Sequence, residues 1–166
     1  MSAMAIALVA LGLVSSSMGC SSISVGAGGS NFGVGVTLPA SSRAEVQALA
    51  ARINRHRVAI GCRALAWDER LAKVARRHSE DMVKRHFFSH TNPDGRDPFE
   101  RLDAARIHYR AAAENIAYGR SRGRETYDDW IESPGHRRNI ENCDYTHFGI
   151  GLYNRYWSLE LVRYTD

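Results

Sequence analysis

Apolar positions in the first part of the folded region recur at helical spacing. Ser42 and Glu45 form a capping-box pattern that predicts the start of a helix, and Gly61 predicts its end. The apolar residues of this helix lie on one face, at Val46, Leu49, Ile53 and Ile60. A second helix is predicted to begin at Asp68. Its apolar face includes His78, which we interpret as a core histidine.

Three further helices are predicted from their start signals. Asp97 followed by Pro98 is typical of a cap with proline in the first helical position, and it predicts the third helix. A fourth helix is predicted over residues 125–133. Ser133 and Pro134 repeat the cap-plus-proline start, so we expect a short fifth helix directly after the fourth.

The end of the chain changes from helical to strand character. Residues 147–154 and 156–164 are short runs rich in β-forming side chains, and Asn154 with Arg155 separates them, which predicts an antiparallel hairpin. Helices followed by strands indicate an α+β domain in which helices pack on a small antiparallel sheet.

The N-terminus differs from the rest because residues 1–42 carry no charge. Ala3 to Val14 is an apolar run too short to span a bilayer, but it has the length of a signal-peptide core. The small residues before Cys20 are similar to a bacterial lipoprotein signal, in which the cysteine is lipidated and becomes the new N-terminus. The alternative is a plain secretory signal cut near Gly19. We therefore expect residues 1–20 to be a signal peptide and the protein to be exported.

Residues 21–41 are rich in Gly and Ser and are predicted to form a flexible tether before a single folded domain at 42–166. The chain has 166 residues, a formal net charge of +4 and a pI of about 9.2. That charge permits attraction to anionic surfaces. Aromatic and basic residues are not interleaved as a nucleic-acid platform requires, so we expect no nucleic-acid partner.

Two cysteines remain if Cys20 carries a lipid. Cys62 and Cys143 form an even pair in an exported domain, which favours a disulfide that would close a loop of about 80 residues. The alternative is two buried free thiols, since the sequence alone does not give the distance between their Cα atoms.

His90 and His136 differ from the other histidines because each lies at the edge of a Pro/Gly turn, where functional side chains are common. Glu114 lies between small apolar residues, so it is expected to be half-buried and to need a partner. An imidazole, a metal or nearby backbone N–H groups would serve. Two imidazoles and a carboxylate can bind a divalent metal such as Zn with an open position, or perform acid–base chemistry. No G-x-S-x-G nucleophile motif is present.

Four ordered segments resemble one family: "HSEDMVKRHFFSHTNPDGRDPFERL", "AENIAYG", "WIESPGHRRNI" and "HFGIGLYN". They are similar to the CAP family, named for cysteine-rich secretory proteins, antigen 5 and pathogenesis-related 1, and in particular to its bacterial SCP-domain members. The resemblance extends from about Glu45 to Val162. It implies a three-layer α-β-α sandwich with a small antiparallel sheet, and a cleft lined by two histidines and two acids.

The resemblance assigns site residues one by one. His90 matches the first family histidine, Glu114 matches the acid of the "AEN" motif, and His136 matches the histidine of the "GH" motif. The second acid departs from the pattern, because the usual position falls on Ser133 and Glu132 stands one residue earlier. One residue on a helix is a rotation of about 100°. Glu132 is therefore the candidate second acid, displaced from the expected position.

Three functions follow as hypotheses, since one fold supports many activities. The first is an envelope-anchored binding module whose cleft, with or without a metal held by His90 and His136, recognises a lipid, a wall component or an extracellular protein. The second is a metal-assisted hydrolase of peptidase type, in which Glu114 orients ligands or activates water. The third is a structural protein of the envelope. The sequence does not decide whether the protein is an enzyme.

Overall fold

The computed structural model describes residues 40–165. The predicted signal peptide with Cys20, and the predicted tether as far as residue 39, lie outside the described residues. Five helices and four strands follow along the chain: α1 Ala40–Ala59, β1 Ala66–Trp67, α2 Glu69–Lys84, α3 Pro98–Ala104, β2 Tyr109–Tyr118, α4 Gly123–Glu132, α5 Pro134–Glu141, β3 His147–Tyr153 and β4 Tyr156–Tyr164. None of the helices described is long and apolar enough to cross a membrane.

Most of the predicted helix boundaries are confirmed. Asp68 caps α2, since its side chain accepts hydrogen bonds from the N–H groups of Arg70 and Leu71. Asp97 caps α3, and Glu100 completes a capping box with it. Helix α4 begins two residues before the predicted start and ends one residue before the predicted end.

The capping box predicted for α1 is wrong. Ser42 lies inside the helix, which already begins at Ala40. The Glu45 carboxylate instead accepts a hydrogen bond from the backbone N–H of Gly123 at 2.8 Å. It therefore satisfies the free N–H group at the start of α4 rather than one at the start of α1. Gly61 does end the helical segment, with a positive φ of 87°.

The four strands form one sheet in the order β1-β3-β4-β2. The terminal hairpin of β3 and β4 is confirmed, and both turn residues have positive φ, 45° at Asn154 and 65° at Arg155, as a tight hairpin turn requires. The sheet is not wholly antiparallel as predicted, because β1 pairs with β3 in parallel at Ala66 and Trp67. A parallel neighbour needs a long crossover, and α2 lies between β1 and β3 along the chain.

The sheet is covered on both faces, which confirms the three-layer sandwich. One face packs against α2 and α3 through a small apolar cluster of Leu71, Val74, Leu102, Ile107 and Val162. The other face packs against α1, α4 and α5 through a larger cluster that includes Leu49, Ile53, Trp130, Ile140, Phe148, Trp157 and Leu159. Strand β2 forms an edge of the sheet, and its outer carbonyls are covered by side chains. Trp130 Nε1 donates to the carbonyl of Ile116 at 3.1 Å, and Asn139 Nδ2 donates to that of Glu114 at 3.4 Å.

The C-terminal end of α5 is fixed to the end of α1. The predicted disulfide is present between Cys62 and Cys143, with Cα atoms 5.1 Å apart. The neighbouring Arg57 is fully buried, and its guanidinium donates to four backbone carbonyls, those of Arg63, Ile140, Asn142 and Tyr145. A buried charge is tolerated only when its hydrogen bonds are satisfied, and these four carbonyls satisfy it.

Helix α2 lies directly on β3, because Gly149 has no side chain. A Cβ atom at this position would clash with the backbone of Leu71 and Ala72. We therefore expect Gly149→Ala to lower the free energy of unfolding in urea by at least about 1–3 kcal/mol, the usual cost of overpacking. Gly135→Ala is the matched control, since a Cβ there meets nothing within 4 Å. Equal effects of the two changes would contradict the close approach of α2 and β3.

Candidate functional site

Glu114 is the central polar residue of the β2 edge. Its side chain is only 1% exposed, on the sheet face that packs against α2. Oε1 lies 2.6 Å from His90 Nδ1, and Oε2 accepts from Arg101 Nη2 at 2.6 Å and from Ser158 Oγ at 3.3 Å. Because an ionised carboxylate only accepts hydrogen bonds, the short contact with His90 puts a proton on Nδ1. Glu114 therefore fixes Nδ1 as a protonated nitrogen of the His90 ring and sets the orientation of that ring.

The pKa of Glu114 results from opposing effects. Burial raises it, but the hydrogen bond from His90 and the positive charge of Arg101 lower it by more. The pKa of Glu114 therefore lies below its ordinary value, and the side chain is a carboxylate at neutral pH.

Arg101 is a site residue that the sequence reasoning missed. Its side chain is 9% exposed. Besides Glu114 it binds the turn that carries His90, donating to the carbonyl of His90 at 2.7 Å and to the side chain of Asn92. Arg101 lies in the first turns of α3, within one of the segments that carry the family resemblance. The available signal is a cation 13 residues before a predicted buried acid.

His78 is confirmed as a buried histidine, and it also helps to position His90. Its Nε2 lies 3.1 Å from the carbonyl of Ser89, the residue before His90, and 3.8 Å from Glu114 Oε2. Nε2 is therefore the protonated nitrogen. Burial lowers the pKa of His78, although the field of Glu114 partly opposes this effect. The neutral ring thus joins α2 to the turn.

His136 comes to the same edge of the sheet from the opposite layer. Asn115 points to the α5 side of β2, and its Nδ2 donates to the carbonyl of His136 at 3.0 Å. Asn139 in turn donates to Asn115 Oδ1 at 2.8 Å, so an amide pair holds α5 against the strand. Burial lowers the pKa of His136, and the field of His90 lowers it further. The structure therefore places His90 against Glu114 and the backbone of His136 at the same strand edge, where the field of His90 reaches the His136 ring.

Glu132 is not brought to this group. It is exposed near the end of α4, and its field acts on Arg120, which is itself paired with Asp129. No hydrogen bond or ion pair joins Glu132 to His90, Glu114 or His136 in residues 40–165. The displacement of one residue from the family position accounts for this orientation.

The donor set limits what metal the site can hold. No group of three or more His, Cys, Asp or Glu side chains among the described residues is arranged to hold a metal ion. Both oxygens of Glu114 are already engaged by His90 and Arg101. Glu114 is therefore a hydrogen-bond partner of His90 and is not itself free to bind a metal ion.

A three-layer sandwich around a four-stranded sheet is the fold of a CAP-type domain. The chain belongs to this family: the profile of the cysteine-rich secretory protein family, CAP, matches residues 50–159. Two curated relatives come from Bacillus subtilis strain 168. They are the uncharacterized membrane protein YlbC, 36% identical over 107 residues, and the uncharacterized protein YkwD, 37% identical over 113 residues. These matches take in 64% and 68% of this chain, but only 31% and 44% of the relatives.

Solved structures support the same assignment. An extracellular protein containing an SCP domain from Bacillus anthracis strain Ames is 32% identical with a TM-score of 0.71, over 74% of this chain and 41% of that one. A cysteine-rich secretory protein from Staphylococcus aureus Mu50 has a TM-score of 0.65 over 73% of this chain and 38% of that one. Its 21% identity shows a shared fold alone.

Removal of the central carboxylate leaves Arg101 buried without its partner. We expect Glu114→Ala to lower the free energy of unfolding by roughly 3–5 kcal/mol, the usual cost of breaking a buried ion pair. The control is Glu132→Ala, an exposed change that should stay within about 0.5 kcal/mol. Urea denaturation at pH 7 measures both. A loss below about 1 kcal/mol for Glu114→Ala would contradict the central place of this carboxylate.

Proposed function

We propose that this protein is an exported binding module of the bacterial cell envelope that recognises an anionic wall glycan along the β2 edge of its sheet. Export is supported by the predicted signal peptide, by the extracellular SCP-domain neighbour and by the relative named as a membrane protein. A lipid on Cys20 would anchor the domain through the predicted tether, residues 21–41. The observation that carries the choice of ligand is a cluster of exposed aromatic rings beside His90.

The aromatic cluster consists of Phe88, Tyr118 and Tyr156. Phe88 and Tyr118 are 51% and 52% exposed, although large apolar side chains are usually buried. The ring centroids of Tyr118 and Tyr156 are 4.3 Å apart, and each lies 6.3 Å from that of Phe88. Grouped exposed aromatic side chains of this kind indicate a binding surface.

The aromatic cluster continues the cleft. Tyr118 follows Glu114 by four residues on β2, so the two side chains share a face about 13 Å apart. Phe88 lies two residues before His90 in the same turn. Phenol rings offer an apolar face and a polar tip, which suits a sugar with apolar C–H faces and hydroxyl edges. The net charge of +4 favours an anionic polymer over a neutral one.

Binding is favoured over hydrolysis by the state of Glu114. The metal-assisted hydrolase needs an acid that is free to activate water, but both Glu114 oxygens are occupied and the side chain is buried. We propose that His90 and His136 hold a divalent ion such as zinc through their imidazoles. When bound, such an ion would offer open coordination positions to an oxygen of the ligand.

Loss of the exposed rings should weaken wall binding. We expect Phe88→Ala together with Tyr118→Ala to reduce binding of the domain to purified cell-wall sacculi by at least about tenfold. Aromatic side chains that become buried on binding are the usual hot spots of an interface. Phe99→Ala is the control, because Phe99 is 45% exposed but packs beside Tyr109, outside the aromatic cluster. A parallel measurement uses phosphatidylglycerol vesicles. Binding to vesicles but not to sacculi would show that the ligand is a lipid and not a wall glycan. An unchanged affinity of the double variant for sacculi would refute the aromatic cluster as the binding surface.

The metal proposal has a direct measurement. Zinc titration by calorimetry should show one site in the wild type, and His90→Ala with His136→Ala should abolish it. His108→Ala removes an exposed histidine outside the cleft and should leave zinc binding unchanged. Equal zinc binding by wild type and the His90/His136 double variant would exclude this pair as the ligands.

A further inference from the structure

Glu160 is a buried acid that neither the family pattern nor the proposed binding function uses. It lies on β4 directly opposite Glu114 in the ladder between β2 and β4, so the two side chains share one face of the sheet. The residue is 0% exposed. On its other side the register partner is Gly149, which contributes no side chain, and α2 covers the face above.

Hydrogen-bond donors are divided unequally between the two acids. Glu114 receives hydrogen bonds from His90, Arg101 and Ser158. Neither oxygen of Glu160 accepts a hydrogen bond from any N–H or O–H group of the described part of the chain. Its hydrogen-bonding partner within reach is the Glu114 carboxylate, which is itself an acceptor.

Two acceptors in contact require a proton between them. A fully buried carboxylate without a cation or donor carries a prohibitive desolvation cost, whereas a neutral carboxyl group carries little. The cation and the hydrogen-bond donors contact Glu114 and stabilise its ionised form. The proton shared by the pair therefore resides on Glu160. We propose that Glu160 is a protonated carboxylic acid at neutral pH whose O–H donates to the Glu114 carboxylate, making it a positioning residue that holds Glu114 toward His90.

The surrounding charges agree with this assignment. Burial raises the pKa of Glu160 well above its ordinary value, the neighbouring Glu114 raises it further, and Arg101 opposes them. The groups around the pair come from each element that covers it: His78 from α2, Arg101 from α3 and Ser158 from β4. Glu160 is buried beneath α2, so its protonation state does not depend on whether the ligand is a wall glycan.

Infrared spectroscopy tests the proton directly. At pH 7 the wild type should show the carbonyl stretching band of a protonated carboxylic acid, and Glu160→Gln should lose it. Glutamine keeps the size of the side chain and supplies an N–H donor to Glu114, so this variant should fold. Glu132→Gln, an exposed acid, should keep the band. A band that persists in Glu160→Gln, or that is absent from the wild type, would overturn the proposal.

The pH dependence of unfolding gives a second, independent readout. A pKa raised in the folded state contributes stability below the unfolded value, about 4.3 for glutamate, and this contribution is lost as pH rises toward the folded value. The wild-type unfolding constant should therefore rise above pH 5, relative to that of Glu160→Gln, by close to tenfold per pH unit until the folded pKa is reached. Groups present in both proteins, including His78, His136 and Glu114, cancel in this ratio. A ratio that does not change between pH 5 and pH 8 would show that Glu160 is ionised in the fold and would refute the proposal.

Discussion

The pairing of a buried carboxylate with a buried guanidinium organises one side of this domain. Glu114 and Arg101 are held 2.6 Å apart with almost no exposure to water, where a lone charge would be unstable. The same guanidinium binds the backbone of the turn between α2 and α3, so the turn takes the shape that the ion pair requires. The position of the His90 imidazole is set by the shape of this turn. The polar group is therefore both a structural link between α3 and the sheet and the support of the turn that carries His90.

Much of the fold could be predicted from local sequence signals. The caps at Asp68 and Asp97 were readable because a short polar side chain satisfies free N–H groups wherever a helix starts. The hairpin was readable because two runs rich in β-forming residues flank Asn154 and Arg155, which the structure shows as the turn residues with positive φ. Strand β2 was not predicted. Its run of alanines has weak strand preference, and what makes it a strand is pairing with β4, which is a contact remote in sequence.

The candidate site was only partly readable from the sequence. The positions of His90, Glu114 and His136 followed from motifs, but nothing local shows that Asn115 and Asn139 link α5 to the strand. Glu160 illustrates a different limit. In the run Leu159-Glu160-Leu161, the alternation of apolar and polar side chains indicates that the acid faces solvent. That interpretation is valid only for a sheet that has one face covered and the other in water. Here α2 covers the second face, so a residue patterned as exposed is buried.

The two histidines reach one strand edge from opposite layers of the sandwich. The turn that carries His90 belongs to the α2–α3 layer, whereas His136 is mounted on α5, whose far end is tied by Arg57 and the disulfide to α1. The spacing between the two histidines consequently depends on how both helical layers fit against one strand. A fragment that lacks either layer lacks the support of one histidine. The proposed recognition surface would therefore exist only in the complete fold, and a change that loosens either layer would disturb it from a distance.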